Sequence, residues 1–259
     1  MAKVRPVLTI IIPHYNTPEM LETLLESIPE RNEIQIIVVD DNSTKKADFL
    51  TSLKCRKRHV EFYRNESGKN SAGTCRNIGL EHAEGEWLLF ADSDDFFLSG
   101  WFNSVSKFFH TEYQIVFFKP TSIVLETGEI GKRHLWYSDP VEAYLNDASH
   151  ENELVLRYKH AVPWSKMIRR SLVEEHAIRF EPLIICDDEW FSLMCGYYAK
   201  SISVSDDIIY CVTAHDGSLI YTLTKEKYDT KGLKLTELIF MLTSITKKRM
   251  RPKGDITRL

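Results

Sequence analysis

The chain opens with short apolar runs that alternate with polar or amphipathic segments. Runs at 7–13, 34–41 and 60–65 are short and rich in apolar residues, which is typical of strands in a sheet. Two more such runs, "EWLLFADSDD" and "YQIVFFK", cover 86–95 and 113–119. Since helical patterns separate these runs, the sequence predicts an open, mostly parallel α/β sheet with helices on both faces.

The segments between the strands carry helix signals. In "NTPEMLETLLESIP", Thr17 suits an N-cap and Pro18 suits the first helical position. Leu21, Leu24 and Leu25 then recur at helical spacing. The stretches "NSTKKADFLTSL", "AGTCRNIGLEHAEG" and "LSGWFNSVSKFF" predict three further helices.

The pattern is less regular after residue 120. "SIVLETGEIG" predicts a hairpin around Thr127 and Gly128, and "WSKMIRRSLVEEHAIRF" predicts a short strand and then a helix. "CDDEWFSLMCGYYA" places two carboxylates at the start of a helix, and "SISVSDDIIYCVTAHDGS" predicts strands that end in a polar loop.

Composition narrows the class of protein. With 259 residues, 43% of them hydrophobic, the chain can form one sizeable α/β domain. No apolar run approaches the 18 or more residues of a membrane-spanning helix, and no signal-peptide cleavage site follows the first strand. Five scattered cysteines without a CxxC pair indicate free thiols in a reducing cytoplasm and argue against a zinc site. We expect a cytoplasmic protein with no nucleic-acid partner.

Charge is distributed unevenly. Residues 225–259 carry ten Lys/Arg and four Asp/Glu, although the whole chain has a net charge of −4. Within this tail, 233–253 combines an apolar helical stripe with a basic cluster. That combination suits peripheral contact with the inner face of an anionic plasma membrane, and it equally suits a helix packed on the domain with a solvated basic end.

Polar residues follow three of the predicted strands, in "PHYN", "DDNS" and "DSDD". The carboxyl ends of parallel strands form one crevice where ligands bind, so these segments should meet. Asp92 and Asp94 suit Mg²⁺ or Mn²⁺ shared with a substrate phosphate, and the alternative is a solvated acidic turn. Asp40 or Asp41 could bind a base or the ribose hydroxyls. The alternative is that the segment forms only a helix cap, which Asn42 or Ser43 could supply.

Other candidate residues also have two interpretations. Tyr15 could stack on a base or lie in the core. "GKNSAGTCRNIG" matches neither a P-loop nor a dinucleotide fingerprint, but Lys69 and Arg76 could contact phosphate or solvent. "CDDEW" offers a general base or a favourable acid at a helix start. His215 could bind a metal or phosphate, or be structural.

Taken together, "TIIIPHYN", "VVDDNST", "AGTCRNIGL", "GEWLLFADSDD" and "DDEWF" resemble, in order and spacing, the family 2 inverting glycosyltransferases with a GT-A fold. The resemblance covers about residues 7–220. It implies a Rossmann-like nucleotide-sugar-binding half at 1–119 and a smaller α+β half at 120–224 that binds the acceptor and carries the base. An amphipathic helix and basic tail would occupy 225–259.

The resemblance also implies roles for single residues. Tyr15 would stack on the base with Pro13 beside it, and Asp41 would read the uracil. Arg76 would face the donor diphosphate. Asp94 would be the direct metal ligand, and Asp92, the other acid of the pair, would lie nearer the ribose.

Asp188 would be the catalytic base, in a motif that here reads Asp187-Asp188 where the family usually has Glu-Asp. Glu189 and Asp187 are the neighbouring alternatives. The implied reaction is inverting transfer from a nucleotide-sugar, usually a UDP-sugar, to a saccharide or lipid-linked saccharide, with Mn²⁺ or Mg²⁺. Such transfer serves bacterial polysaccharide, lipopolysaccharide or capsule synthesis.

Three other classes compete with this interpretation. A nucleotidyltransferase acting on a sugar phosphate shares the acidic strand ends, but "PHYNTPEM" lacks a glycine- and basic-rich triphosphate loop after the first strand. An aspartyl-phosphate phosphatase needs its DxD after the first strand, not the fourth. A non-catalytic glycan-binding domain would lack part of the acidic pattern, which is complete here.

Overall fold

A computed structural model of the protein describes residues 5–183 and 186–214. The predicted tail at 225–259, its membrane-contact segment 233–253 and His215 lie outside the described residues. The strands are β1 (Leu8–His14), β2 (Ile34–Asp40), β3 (Val60–Arg64), β4 (Trp87–Phe90), β5 (Phe96–Phe97), β6 (Ile115–Val124), β7 (Lys166–Arg169) and β8 (Ile202–Ala214). The helices are α1 (Pro18–Glu26), α2 (Ala47–Arg56), α3 (Ala72–His82), α4 (Trp101–Ser106), α5 (Leu135–Asn146), α6 (His150–Lys159), α7 (Arg170–Glu175) and α8 (Glu189–Tyr198).

The described strands form one sheet in the order β3-β2-β1-β4-β7-β6-β8-β5. The first four are parallel to one another. Strand β7 then runs antiparallel to both β4 and β6, while β6 and β8 are parallel. The parallel half follows from the strand–helix alternation of the sequence, and the second half makes the whole sheet mixed.

The central strands are buried on both faces, as their apolar composition predicts. Every residue of β1 and β2 is buried, and helices cover both sides. Helix α3 lies so close to β1 that a Cβ on Gly79 would stand 2.4 Å from Cγ2 of Ile11. This close packing holds the second half of α3 against the middle of β1.

The predicted α/β fold is confirmed, including the hairpin at residues 127–128. Strand β6 crosses the predicted boundary between the halves 1–119 and 120–224, so both halves share one sheet. Helices α5 and α6 were not predicted. Pro140 interrupts the helical pattern of α5, but α6 carries a readable signal in its Ser149 N-cap followed by Glu151 and Glu153. Among the described residues, no helix is long and apolar enough to cross a membrane.

Candidate active site

The ends of β1 and β2 are joined through His14 and Asp40. Nδ1 of the buried His14 lies 2.9 Å from Oδ1 of Asp40, and the Ser43 hydroxyl donates to the same oxygen at 2.6 Å. Although burial opposes ionisation, these hydrogen bonds lower the pKa of Asp40 below its usual value. The Asp40 carboxylate is therefore held within the protein by His14 and Ser43.

Asp41 lies at the mouth of the same crevice. Its backbone N–H donates to the His14 carbonyl at 2.8 Å, and its Oδ1 accepts a 2.6 Å bond from Asn65 Nδ2. Burial raises the pKa of Asp41. Tyr15 is 55% exposed, so its ring is available for stacking and is not a core residue, whereas Pro13 is buried within β1.

The end of β4 turns sharply through the acidic segment. Asp92 and Asp94 are partly exposed, while Asp95 between them and β5 is buried. The Ser93 hydroxyl lies 3.2 Å from that of Thr17 at the start of α1. The three strand ends that the sequence singled out are thus brought together at one edge of the sheet.

Arg76 connects this edge to a distant part of the chain. The buried guanidinium donates through Nη2 to Oδ1 of Asp92 at 2.6 Å and through Nη1 to Oδ2 of Asp187 at 2.5 Å. Although burial works against the charge, the surrounding carboxylates raise the pKa of Arg76. The interpretation of Arg76 as a solvated helix-surface residue is therefore wrong. Its Nε has no hydrogen-bond partner among the described residues.

The first turn of α3 lies very close to the segment that precedes α8. Ser71 Oγ caps the helix by accepting from the Thr74 backbone N–H at 3.1 Å. A Cβ on Gly73 would lie 2.3 Å from the Glu181 carbonyl oxygen and 2.9 Å from Cβ of Asp187. Glycine at this position therefore allows the segment before α8 to approach α3, which places Asp187 against Arg76.

The three consecutive acids at the start of α8 occupy different environments. Asp187 is buried and paired with Arg76. Asp188 is the N-cap residue of α8, but its side chain makes no capping bond. Burial and the neighbouring Asp187 raise the pKa of Asp188 to about 7. Glu189 is the first residue of the helix proper. Of the three, Asp188 combines partial exposure with a proton affinity suited to general-base chemistry near neutral pH.

The donor atoms at the end of β4 fit a shared divalent cation. Asp92 and Asp94 offer carboxylate oxygens, the ligands that Mg²⁺ and Mn²⁺ prefer. Within residues 5–183 and 186–214, no group of three or more His, Cys, Asp or Glu side chains could hold a metal by itself. Two carboxylates leave most ligand positions of such an ion open, so an ion held here would take further ligands from a bound phosphate, as Mg²⁺ commonly does.

The sequence patterns did not single out Lys166, which is buried against α8. Lys166 Nζ donates to the His160 carbonyl at 2.8 Å and to Ser192 Oγ at 3.0 Å. Burial lowers the pKa of Lys166 to about 8. Tyr137, also not singled out, packs against His160 and Trp164. Burial and the charge of Asp188 raise its pKa to about 12. Neither residue stands in a recognisable motif, so local pattern carried no signal for them.

A parallel half-sheet with acidic strand ends, joined to a mixed half that supplies a second acidic pair, is the arrangement of a GT-A glycosyltransferase. The chain belongs to glycosyl transferase family 2, whose family profile matches residues 9–177. This membership decides against the nucleotidyltransferase alternative. The resemblance derived from the sequence motifs is confirmed.

Individual relatives support the same family and fold. The glycosyltransferase EpsH of Bacillus subtilis is 26% identical over 242 residues, covering 90% of this chain and 67% of that protein. The poly(ribitol-phosphate) β-N-acetylglucosaminyltransferase TarS of Staphylococcus aureus is 25% identical over 240 residues, covering 89% of this chain but only 40% of that protein. A crystal structure of TarS with UDP-GlcNAc superposes with a TM-score of 0.69 at 20% identity, covering 96% of this chain and 68% of that chain.

Proposed function

We propose that this protein transfers a sugar from a UDP-sugar to a hydroxyl of a saccharide acceptor, with inversion at the anomeric carbon. The observation that carries the proposal is the pair of bonds from Arg76 to Asp92 and Asp187. One guanidinium thereby holds the acidic strand end within reach of Asp188, which directly follows Asp187. Donor-binding and proton-accepting groups consequently share one crevice.

The nucleotide would bind across the ends of β1 and β2. The exposed ring of Tyr15 would stack on the base, with Pro13 shaping the floor beside it. Asp41 would accept a hydrogen bond from the uracil N–H, because Asp40 is already bound to His14 and Ser43. Asp92 would lie toward the ribose. Support for uridine comes from TarS, which has been crystallised with UDP and with UDP-GlcNAc.

Asp94 and Asp92 would hold Mn²⁺ or Mg²⁺ together with the diphosphate of the donor. When bound, the ion would offset the negative charge of the departing diphosphate. A mannosyltransferase of Pyrobaculum calidifontis that superposes with a TM-score of 0.58 has been determined with GDP-mannose and Mn²⁺. Arg76, whose charge lies between the two acidic clusters, would stabilise the same leaving group.

Asp188 would accept the proton of the acceptor hydroxyl. The hydroxyl oxygen then bonds to the anomeric carbon from the side opposite the nucleotide. The bond from that carbon to the diphosphate oxygen breaks, and its electron pair leaves with UDP. A single displacement of this kind inverts the anomeric centre.

The setting would be synthesis of a bacterial surface polysaccharide. One relative is a glucosyltransferase of Campylobacter jejuni named for a pyrophosphoryl-undecaprenol-linked acceptor, and TarS is named for poly(ribitol-phosphate). We therefore propose a saccharide or lipid-linked saccharide acceptor, with the chain working at the inner face of the plasma membrane. Peripheral contact would be made through 233–253.

A panel of nucleotide-sugars tests the proposal directly. Each donor is incubated with the protein and Mn²⁺, Mg²⁺ or EDTA, and released nucleoside diphosphate is measured. We expect release from one or more UDP-sugars that EDTA abolishes and that the Asp188→Asn variant reduces strongly. A non-catalytic glycan-binding domain would release nothing from any donor, and release unaffected by EDTA would contradict the metal dependence.

A further inference from the structure

The acidic turn after β4 is held from one side by the last residues of β8. The Asp92 backbone N–H donates to the Tyr210 hydroxyl at 2.8 Å. The Thr213 hydroxyl donates to the Asp94 carbonyl at 2.7 Å, and the Thr213 backbone N–H donates to Oδ1 of Asp95 at 2.8 Å. These bonds join residues about 118 positions apart in sequence.

The Tyr210 hydroxyl is held rigidly. The residue is completely buried, its ring stacks on Trp164 with centroids 5.5 Å apart, and Phe97 meets it edge-on at 5.3 Å. The hydroxyl also hydrogen-bonds to the Asp95 carboxylate. The packed ring and the bond from Asp92 together determine where the hydroxyl lies.

We propose that Tyr210 and Thr213 are positioning residues that fix the geometry of Asp92 and Asp94 for a divalent cation shared with the donor diphosphate. The inference rests on the proposed function and adds residues of a different strand to it. Tyr210 fixes the backbone at the first carboxylate, and Thr213 fixes it at the second. The backbone that carries both carboxylates is therefore held by β8 as well as by β4.

The turn also has contacts outside β8. The Ser93 and Thr17 hydroxyls lie 3.2 Å apart, and Arg76 bonds the side chain of Asp92. Groups that orient metal ligands affect metal affinity without contacting the ion, typically by about 10–100-fold. Loss of a single β8 hydroxyl should consequently weaken metal-dependent binding much more than the metal-independent binding of the nucleoside at β1 and β2.

The test measures UDP binding by calorimetry, with Mn²⁺ and with EDTA, for Tyr210→Phe and Thr213→Val. Both substitutions remove one hydroxyl and keep nearly the same volume. We expect the affinity for UDP with Mn²⁺ to fall about 10–100-fold and the affinity in EDTA to stay within about twofold of wild type. Thr213→Ser, which keeps the hydroxyl, should bind like wild type.

Tyr63→Phe is the matched control, because it removes a tyrosine hydroxyl that bonds Glu61 on β3, away from the acidic turn. It should leave both affinities unchanged. Equal losses with Mn²⁺ and with EDTA in the Tyr210 and Thr213 variants would show a general structural role and overturn the inference, as would unchanged binding. Absence of UDP binding by the wild-type protein would instead overturn the proposed function, and the inference with it.

Discussion

Arg76 and Asp187, 111 positions apart, form a buried ion pair with Nη1 and Oδ2 separated by 2.5 Å. The pair connects α3 with the residue directly before Asp188. Removing one partner of a buried pair leaves the other charge uncompensated in a poorly solvated place. The contact therefore couples the stability of the fold to the placement of Asp188.

We predict that Asp187→Ala lowers the free energy of unfolding by about 3–5 kcal/mol. The reason is that the buried Arg76 would lose one of the two carboxylates to which it donates hydrogen bonds among the described residues. Urea denaturation measures the change. Glu142→Ala, which removes a more exposed partner of Lys119, should cost less than about 1 kcal/mol. Similar losses for both variants would show that the Arg76 pair contributes no more than a surface pair.

We predict that Asp188→Asn lowers turnover by about 10²–10⁴-fold and leaves donor affinity nearly unchanged. An amide has a similar shape but cannot accept the proton. Steady-state release of UDP and calorimetric binding measure the two quantities separately. Glu189→Gln is the control and should retain most activity. If Glu189→Gln carries the loss instead, the base lies one position further along the chain.

The pH dependence of turnover follows from the raised pKa of Asp188, about 7. A base works only when ionised, so turnover should rise as pH increases through about 7 and level off above it. The apparent pKa in such a profile belongs to the Asp187–Asp188 pair, because Asp187 raises the pKa of its neighbour. Turnover measured from pH 5 to about 9 would show this rise. A turnover that does not change with pH would contradict the assignment of Asp188.

We predict that Asp94→Ala removes most of the Mn²⁺-dependent part of UDP binding. Carboxylate oxygens are the main protein ligands available to the ion at this strand end. Calorimetry of UDP with Mn²⁺ tests the prediction, with Asp206→Ala as a control, because Asp206 is an exposed acid on β8. Unchanged affinity in Asp94→Ala would remove this residue from the site.

His160 should make the protein less stable in acid. Burial and the nearby Lys166 hold its pKa well below the usual 6.5, so the unfolded chain binds a proton there that the folded chain does not. The free energy of unfolding should then fall as pH drops below about 6.5, by about 1.4 kcal/mol per pH unit for this group.

Urea denaturation at several pH values measures that slope. His160→Phe should reduce it, because phenylalanine fits among the surrounding rings of Phe117 and Tyr137 and does not titrate. His150→Gln, at an exposed position, should keep the wild-type slope. Identical slopes in all three proteins would mean that other groups govern the acid sensitivity.

The basic tail gives a prediction from sequence alone. If 233–253 contacts an anionic bilayer, the full chain should float with phosphatidylglycerol vesicles at low salt and dissociate as salt screens the charges. Deletion of 246–259 should abolish flotation. Equal flotation of both proteins, or none by the full chain, would rule out a membrane role for this cluster.

The parallel half of the sheet and the place of the crevice could be predicted from the sequence. Buried strands need unbroken apolar runs, and "VLTIIIP" and "IQIIVVDD" supply them with acids at their ends. Because carboxyl ends of parallel strands lie at one edge, Tyr15, Asp41, Asp92 and Asp94 could be placed together before any coordinates were known. Helix α6 was not predicted although Ser149 is a recognisable N-cap, because no clear apolar stripe follows it.

The partners of each acidic pair are set by tertiary packing. His14 and Ser43 hydrogen-bond Asp40, Asn65 hydrogen-bonds Asp41, and Arg76 pairs with Asp187. The sequence shows two adjacent aspartates in each case and no difference between them. Periodicity reports which face of an element is buried, but the partner of a buried polar group is set by packing between segments. Those segments can lie more than a hundred residues apart, as Arg76 and Asp187 do.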